Sequence, residues 1–150
     1  MFCSNVSICS FCFLLLLLLL IQPAIGRQYR INGTLKCRTL EGIRPYQNEA
    51  LIQLWEADAQ IFGIIDKDDL LGETQSSKKD GTFELKAKDE WELGELEPYL
   101  LIRHTCWGEA PQEENCALLS RMDLQPTPET KLLLPIVLGK ESQLMTMTMC

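Results

Sequence analysis

The chain has 150 residues, with 14 Lys and Arg against 21 Asp and Glu, a formal net charge of −7 and 46% apolar residues. An acidic chain without a Lys/Arg cluster is a poor candidate for binding nucleic acid or an anionic membrane surface. Its length suits a single domain with one hydrophobic core.

Residues 1–26 contain no Lys, Arg, Asp or Glu. Their apolar centre, Phe11 to Ile21, has the length of a signal-peptide core and falls short of the roughly 20 residues of a membrane span. Pro23 breaks the run, and Ala24-Ile25-Gly26 offers small residues at a cleavage site. The expectation is a signal peptide over 1–26, then one domain over 27–150 that is secreted and not membrane-spanning. Three of the seven cysteines (Cys3, Cys9, Cys12) leave with that peptide, and Cys37, Cys106, Cys116 and Cys150 remain. Four cysteines in a small secreted domain read as two disulfides, with three pairings open. A zinc site fits less well, because no CxxC pair is present and His104 is the only histidine.

The first predicted strand is Tyr29 to Cys37, with Tyr29, Ile31, Leu35 and Cys37 on one face. Leu40 to Asn48 reads as a loop. Ala50 to Asp58 alternates Ala50, Ile52 and Leu54 with Leu51, Gln53 and Trp55, so both faces are apolar, as a central strand requires. Asp58 to Leu71 is an acidic loop before a short strand near Gly72 to Gln75. Asp80-Gly81 is a hairpin turn signal leading into Thr82 to Lys86, with Phe83 and Leu85 inward. Asp89 to Pro98 reads as a helical turn or a long connection. Pro98 to Cys106 follows, with Leu100, Ile102, His104 and Cys106 on one face. Ala117 to Gln125 is a strand ended by Pro126 and Pro128. Lys131 to Leu138 is another, which Pro135 makes an edge or a bulged strand. The tail LMTMTM alternates apolar and polar residues and reads equally as an added strand or as an end held by Cys150. About seven short strands at this spacing predict an all-β sandwich.

The runs INGTLKC, ALIQLWEAD, DDLLGE, KDGTFEL, EPYLLIRHTC and IVLGKE, with a final cysteine, occur in an order that resembles the transthyretin-like family abundant in nematodes. The resemblance spans Tyr29 to Glu141. The chain departs from the family pattern in Ser76-Ser77-Lys78-Lys79-Asp80 before the turn and in Ile61 to Ile65 within the acidic loop. The resemblance implies a transthyretin- or prealbumin-like Greek-key β-sandwich in extracellular fluid or at the cell surface, and it implies no particular ligand.

Cys106 and Cys116 enclose a short loop between consecutive strands, so the favoured pairing is Cys106–Cys116 with Cys37–Cys150; the alternative joins Cys37 to Cys106 across the sandwich. Asn32-Gly33-Thr34 is a glycosylation sequon on the polar face of its strand. His104 reads as a core or rim histidine bonded to backbone, because a catalytic base needs an oriented partner that the sequence does not identify. The prealbumin-type 5-hydroxyisourate hydrolases resemble a site with two histidines, an arginine and a terminal Tyr-Arg-Gly-Ser, whereas this chain has one histidine and ends MTMTMC. The acidic loop (Asp58, Asp66, Asp68, Asp69, Glu73) fails the calcium-loop pattern at Leu70 and Leu71 and reads as solvated. The functional expectation is an extracellular binding or adaptor protein without cofactor or catalytic activity, whose partner is an extracellular protein, a lipid or a small apolar ligand. A prealbumin-type hydrolase and a structural surface protein are the alternatives.

Overall fold

In the computed structural model, residues 28–57, 68–88, 97–125, 131–132, 135–140 and 142–150 are described. The expected signal peptide, most of the acidic loop and the Asp89–Leu96 connection lie outside them. The strands are β1 (Gln28–Thr39), β2 (Gly42–Pro45), β3 (Leu51–Ala57), β4 (Asp69–Gln75), β5 (Thr82–Lys88), β6 (Glu97–His104), β7 (Ala117–Asp123), β8 (Lys131–Leu132), β9 (Ile136–Leu138) and β10 (Met145–Met149). They form two sheets. One is built on β1, flanked by β5 and β2 in antiparallel pairing and by β8 and β9 in parallel pairing; the other runs β10-β7-β6-β3-β4, all antiparallel.

The alternation of side chains decides which face of each strand is buried, because successive residues point to opposite sides of a sheet. In β1, Tyr29, Ile31 and Leu35 are buried while Arg30 is exposed. Strand β5 buries Phe83, Leu85 and Ala87 and exposes Thr82, Glu84 and Lys86. Strand β3 has β4 on one side and β6 on the other, and it buries Ile52 and Leu54 while Leu51, Gln53 and Trp55 are half-buried. Ile31, Leu35, Ile52, Leu54, Leu85, Leu100, Ile102 and Leu138 meet between the sheets with exposures near zero. Each such side chain contributes about 1.5–3 kcal/mol relative to exposure. This is the expected all-β sandwich.

It has more strands than the seven expected, and the additions have local causes. Gly42, at φ 118°, reverses the chain so that part of the expected 40–48 loop pairs back on the end of β1 as β2. Strand β4 starts at Asp69, earlier than the Gly72 expected. Pro135 separates β8 from β9 in the run 131–138. Asn32 pairs with Leu132 and Leu35 with Ile136, so one extra residue is accommodated on the proline side. The tail forms β10.

The Asp80-Gly81 turn is also used differently. It does not fold a hairpin within one sheet; it carries the chain from β4 in one sheet to β5 in the other. The Thr82 hydroxyl and amide both donate to Asp80 Oδ1, at 2.8 and 3.1 Å, and hold that carboxyl below its usual range. Gly81 sits at φ 72°, and its carbonyl accepts the Leu35 amide at 2.8 Å. A Cβ on Gly81 would lie 2.4 Å from the Leu35 carbonyl oxygen, so the close approach of turn and β1 requires glycine.

One end of the sandwich is closed by Tyr46 and a disulfide. The Tyr46 amide donates to the Leu35 carbonyl at 3.0 Å, in one sheet, and its hydroxyl accepts the Thr105 amide at 2.9 Å, beyond β6 in the other. Beside it, Cys37 at the end of β1 is bonded to Cys106.

Candidate functional site

The favoured cysteine pairing is therefore corrected. The structure joins Cys37 to Cys106 and Cys116 to Cys150. The reason lies where the β6–β7 ladder stops, at His104 opposite Leu118. The next two amides of the β6 chain are taken by side chains, Thr105 by the Tyr46 hydroxyl and Cys106 by His104 Nδ1. With those donors spent, Cys106 leaves β7 and turns across the sandwich to Cys37. Ala117 pairs instead with Met149 of β10, which brings Cys150 opposite Cys116.

His104 is 1% exposed, and burial pushes its imidazole down to about 4. Nδ1 accepts the Cys106 amide at 3.1 Å, so the neutral ring carries its proton on Nε2, which lies 2.9 Å from Ser120 Oγ. Ser120 is fully buried and 2.8 Å from Thr146 Oγ1, which in turn donates to the Leu144 carbonyl at 3.3 Å. The chain of bonds has one consistent direction: Cys106 amide to His104, His104 to Ser120, Ser120 to Thr146, Thr146 to Leu144. Ser120 thus receives a proton donor from the histidine. A serine nucleophile needs the reverse, an imidazole nitrogen free to take its proton. The backbone partner expected for His104 is present. Ser120 and Thr146 were not identifiable as its partners, because they lie on β7 and β10, far away along the chain. Glu56, another buried ionisable side chain, sits at the opposite end of β3 and is partnered.

The outer face of the β10-β7-β6-β3-β4 sheet is assembled by register. One row crosses it as Met145, Arg121, Leu101, Gln53 and Glu73; the next runs Met147, Leu119, Arg103, Leu51 and Gln75. Met145, Met147 and Met149 are 67%, 55% and 43% exposed. Trp55 and Tyr99 face each other across β3 and β6, and the Arg121 guanidinium stacks 3.7 Å over the Tyr99 ring. Tyr99 donates its hydroxyl to Asp68 at 2.6 Å; burial, with that carboxylate beside it, pushes the phenol up to about 12. At one end of the face a cleft of about 250 Å³ is lined by Glu49, Leu51, Gln75, Arg103, His104, Thr105 and Ala117. Glu49 is bonded to Lys78 at 2.8 Å, which raises the lysine, and Arg103 has no charged partner among the described residues.

Asn32 is half-buried in the middle of β1, paired with Glu84 on one side and Leu132 on the other. Of the acidic loop, Asp58 and Asp66 lie outside the described residues, while Asp69 and Glu73 are ladder residues of β4 and Asp68 holds Tyr99. One group of three potential metal ligands occurs among the described residues, Glu113, Cys116 and Cys150, but both sulfurs are committed to the disulfide.

Two facing sheets, with a cross-sheet disulfide and an inter-sheet turn that both meet the Leu35–Cys37 end of β1, define a disulfide-linked β-sandwich of the prealbumin type. The model of TTR-52, described as a transthyretin-like family, matches residues 32–124, most of the chain, and the protein belongs to the transthyretin-like family. Neither the curated proteins nor the solved structures include a match. No described helix is long and apolar enough to cross a membrane.

Proposed function

We propose that this transthyretin-like protein is a secreted, non-catalytic binding or adaptor protein of the extracellular space or cell surface, and that it contacts its partner through the outer face of the β10-β7-β6-β3-β4 sheet. The observation that carries this reading is the row of exposed methionines on β10, continued by Leu119 and Leu101 and interleaved with Arg121 and Arg103. Methionine, arginine and aromatic side chains are the types that protein interfaces concentrate, and methionine adapts its shape to a partner. The face is broad and its one described cleft is polar in lining. That favours the surface of an extracellular protein over a lipid tail or small apolar ligand, which needs an apolar concavity. Secretion is supported by the uncharged apolar segment 1–26 and by two disulfides, which persist in oxidising compartments. A glycan on Asn32 belongs to the same reading and would shift on a gel after glycosidase treatment.

Expression of the full chain in secretory cells tests the first half of the proposal: the protein is expected in the medium with Arg27 at its N-terminus. Capture of partners from extracellular fluid, compared between wild type and Met147→Lys, tests the second. Retention inside the cell with residues 1–26 intact, or undiminished capture by the variant, sinks the corresponding half. Hydrolysis of 5-hydroxyisourate above the buffer rate would overturn the non-catalytic reading.

A further inference from the structure

The two disulfides occupy different surroundings. Cys106 is 2% exposed and Cys37 packs against the core, so this bridge is enclosed by the sandwich. Cys150 is exposed and Cys116 half-buried, which places the second bridge at the rim. Thiol–disulfide exchange requires a thiolate to reach a sulfur, and access separates the two bridges.

What the rim bridge holds is also distinctive. No side chain of β10 is buried: its methionines face solvent, and Thr146 and Thr148 are half-buried. The strand is held by its ladder to β7 and by the bond from Ser120 to Thr146. Hydrogen bonds that replace bonds to water stabilise only modestly, and a short strand without apolar burial is marginal on them alone. The bridge lies one position beyond the last ladder pair, Met149 with Ala117, and pins that end of the strand.

We infer that Cys116–Cys150 is an exchangeable disulfide that latches β10 onto β7, and that a dithiol reductant releases the strand while Cys37–Cys106 stays closed. One thiolate of the reductant attacks the exposed Cys150 Sγ, forming a mixed disulfide. The Cys116–Cys150 bond breaks with its electron pair on Cys116 Sγ, which takes up a proton. The second thiol of the reductant, deprotonated, attacks its own sulfur in the mixed disulfide, and Cys150 leaves as a thiolate that is protonated in turn. The reductant ends as a cyclic disulfide, and two electrons and two protons have passed to the protein. The freed strand carries its three methionines off the outer face, opens the β7 edge from Ala117 to Arg121 and takes Thr146 from Ser120. This holds whether or not that face is the contact surface.

The test titrates the oxidised full chain with dithiothreitol, traps thiols by alkylation, maps them by mass spectrometry and reads hydrogen exchange on the same samples. Cys116 and Cys150 are expected to be alkylated at least about tenfold faster than Cys37 and Cys106. Amides of residues 117–121 and 145–149 are expected to lose protection by about tenfold or more, while β3 and the β3-facing amides of β6 keep theirs. The Cys116→Ser, Cys150→Ser double variant is expected to show that exchange pattern without reductant. Equal or reversed order of reduction overturns the inference, as does retained protection of 117–121 once the rim bridge is open. Failure of the double variant to fold overturns it too, because the bridge would then support the whole domain.

Discussion

The imidazole of His104 gives its Nε2 proton toward Ser120, 2.9 Å away, because the Cys106 amide already occupies Nδ1. The pair resembles a hydrolytic dyad in distance and opposes one in direction. Its role is to satisfy a polar group inside the sandwich, since a buried donor or acceptor left unpaired costs about 1–3 kcal/mol.

That placement makes stability depend on pH. The folded-state pKa of about 4 lies below the ordinary imidazole value of 6.5, so the unfolded chain binds the proton more readily. Stability from this group is complete above pH 6.5 and is lost as pH falls toward 4, by roughly 3 kcal/mol in total. With one histidine in the chain, its proton resonance in an NMR titration is unambiguous, and a midpoint near 6.5 in the folded protein would refute the burial argument.

Tyr46 ties both sides of the sandwich end, its amide to Leu35 and its hydroxyl to Thr105. Tyr46→Phe leaves the Thr105 amide without its acceptor and is expected to cost about 1–3 kcal/mol. Urea unfolding should show a lower midpoint with an unchanged slope. An unchanged midpoint would mean that water or a neighbour replaces the hydroxyl.

Gly81→Ala combines a left-handed backbone with a Cβ 2.4 Å from the Leu35 carbonyl oxygen. The turn must shift away from β1, and the expected loss is about 3 kcal/mol or more. Thermal unfolding measures it directly; a variant within experimental error of wild type would show that the turn moves freely.

Cys37 and Cys106 are 69 residues apart in sequence, so their bridge strongly restricts the unfolded chain. Replacing both with alanine is expected to cost about 4 kcal/mol, or a melting temperature about 15 °C lower. Calorimetry on the double variant checks this, and a fall of only a degree or two would place the stability of that end in Tyr46 instead.

Much of the fold was legible in order of residues. Tyr29, Ile31 and Leu35 in β1, Phe83 and Leu85 in β5, and Leu100, Ile102 and His104 in β6 face the core as their alternation requires. The central position of β3 followed from its two apolar faces. The two-residue turn at Asp80-Gly81 was legible as a turn but not as a passage between sheets, because local chemistry specifies the reversal of the chain and not the partner of the strand that leaves it.

The sequence alone determined the candidate signal segment, the four cysteines that pair, the inward faces of β1, β5 and β6 and the single histidine. These are properties of composition and of period-two alternation, which a strand expresses wherever it packs. Only the tertiary structure decided the cysteine pairing, the partners of His104 and the exposed methionine row. Each depends on β10 lying beside β7 and on where the β6–β7 ladder stops. Those are long-range matters: the Tyr46 hydroxyl, nearly sixty residues before Thr105, holds the chain where β6 ends.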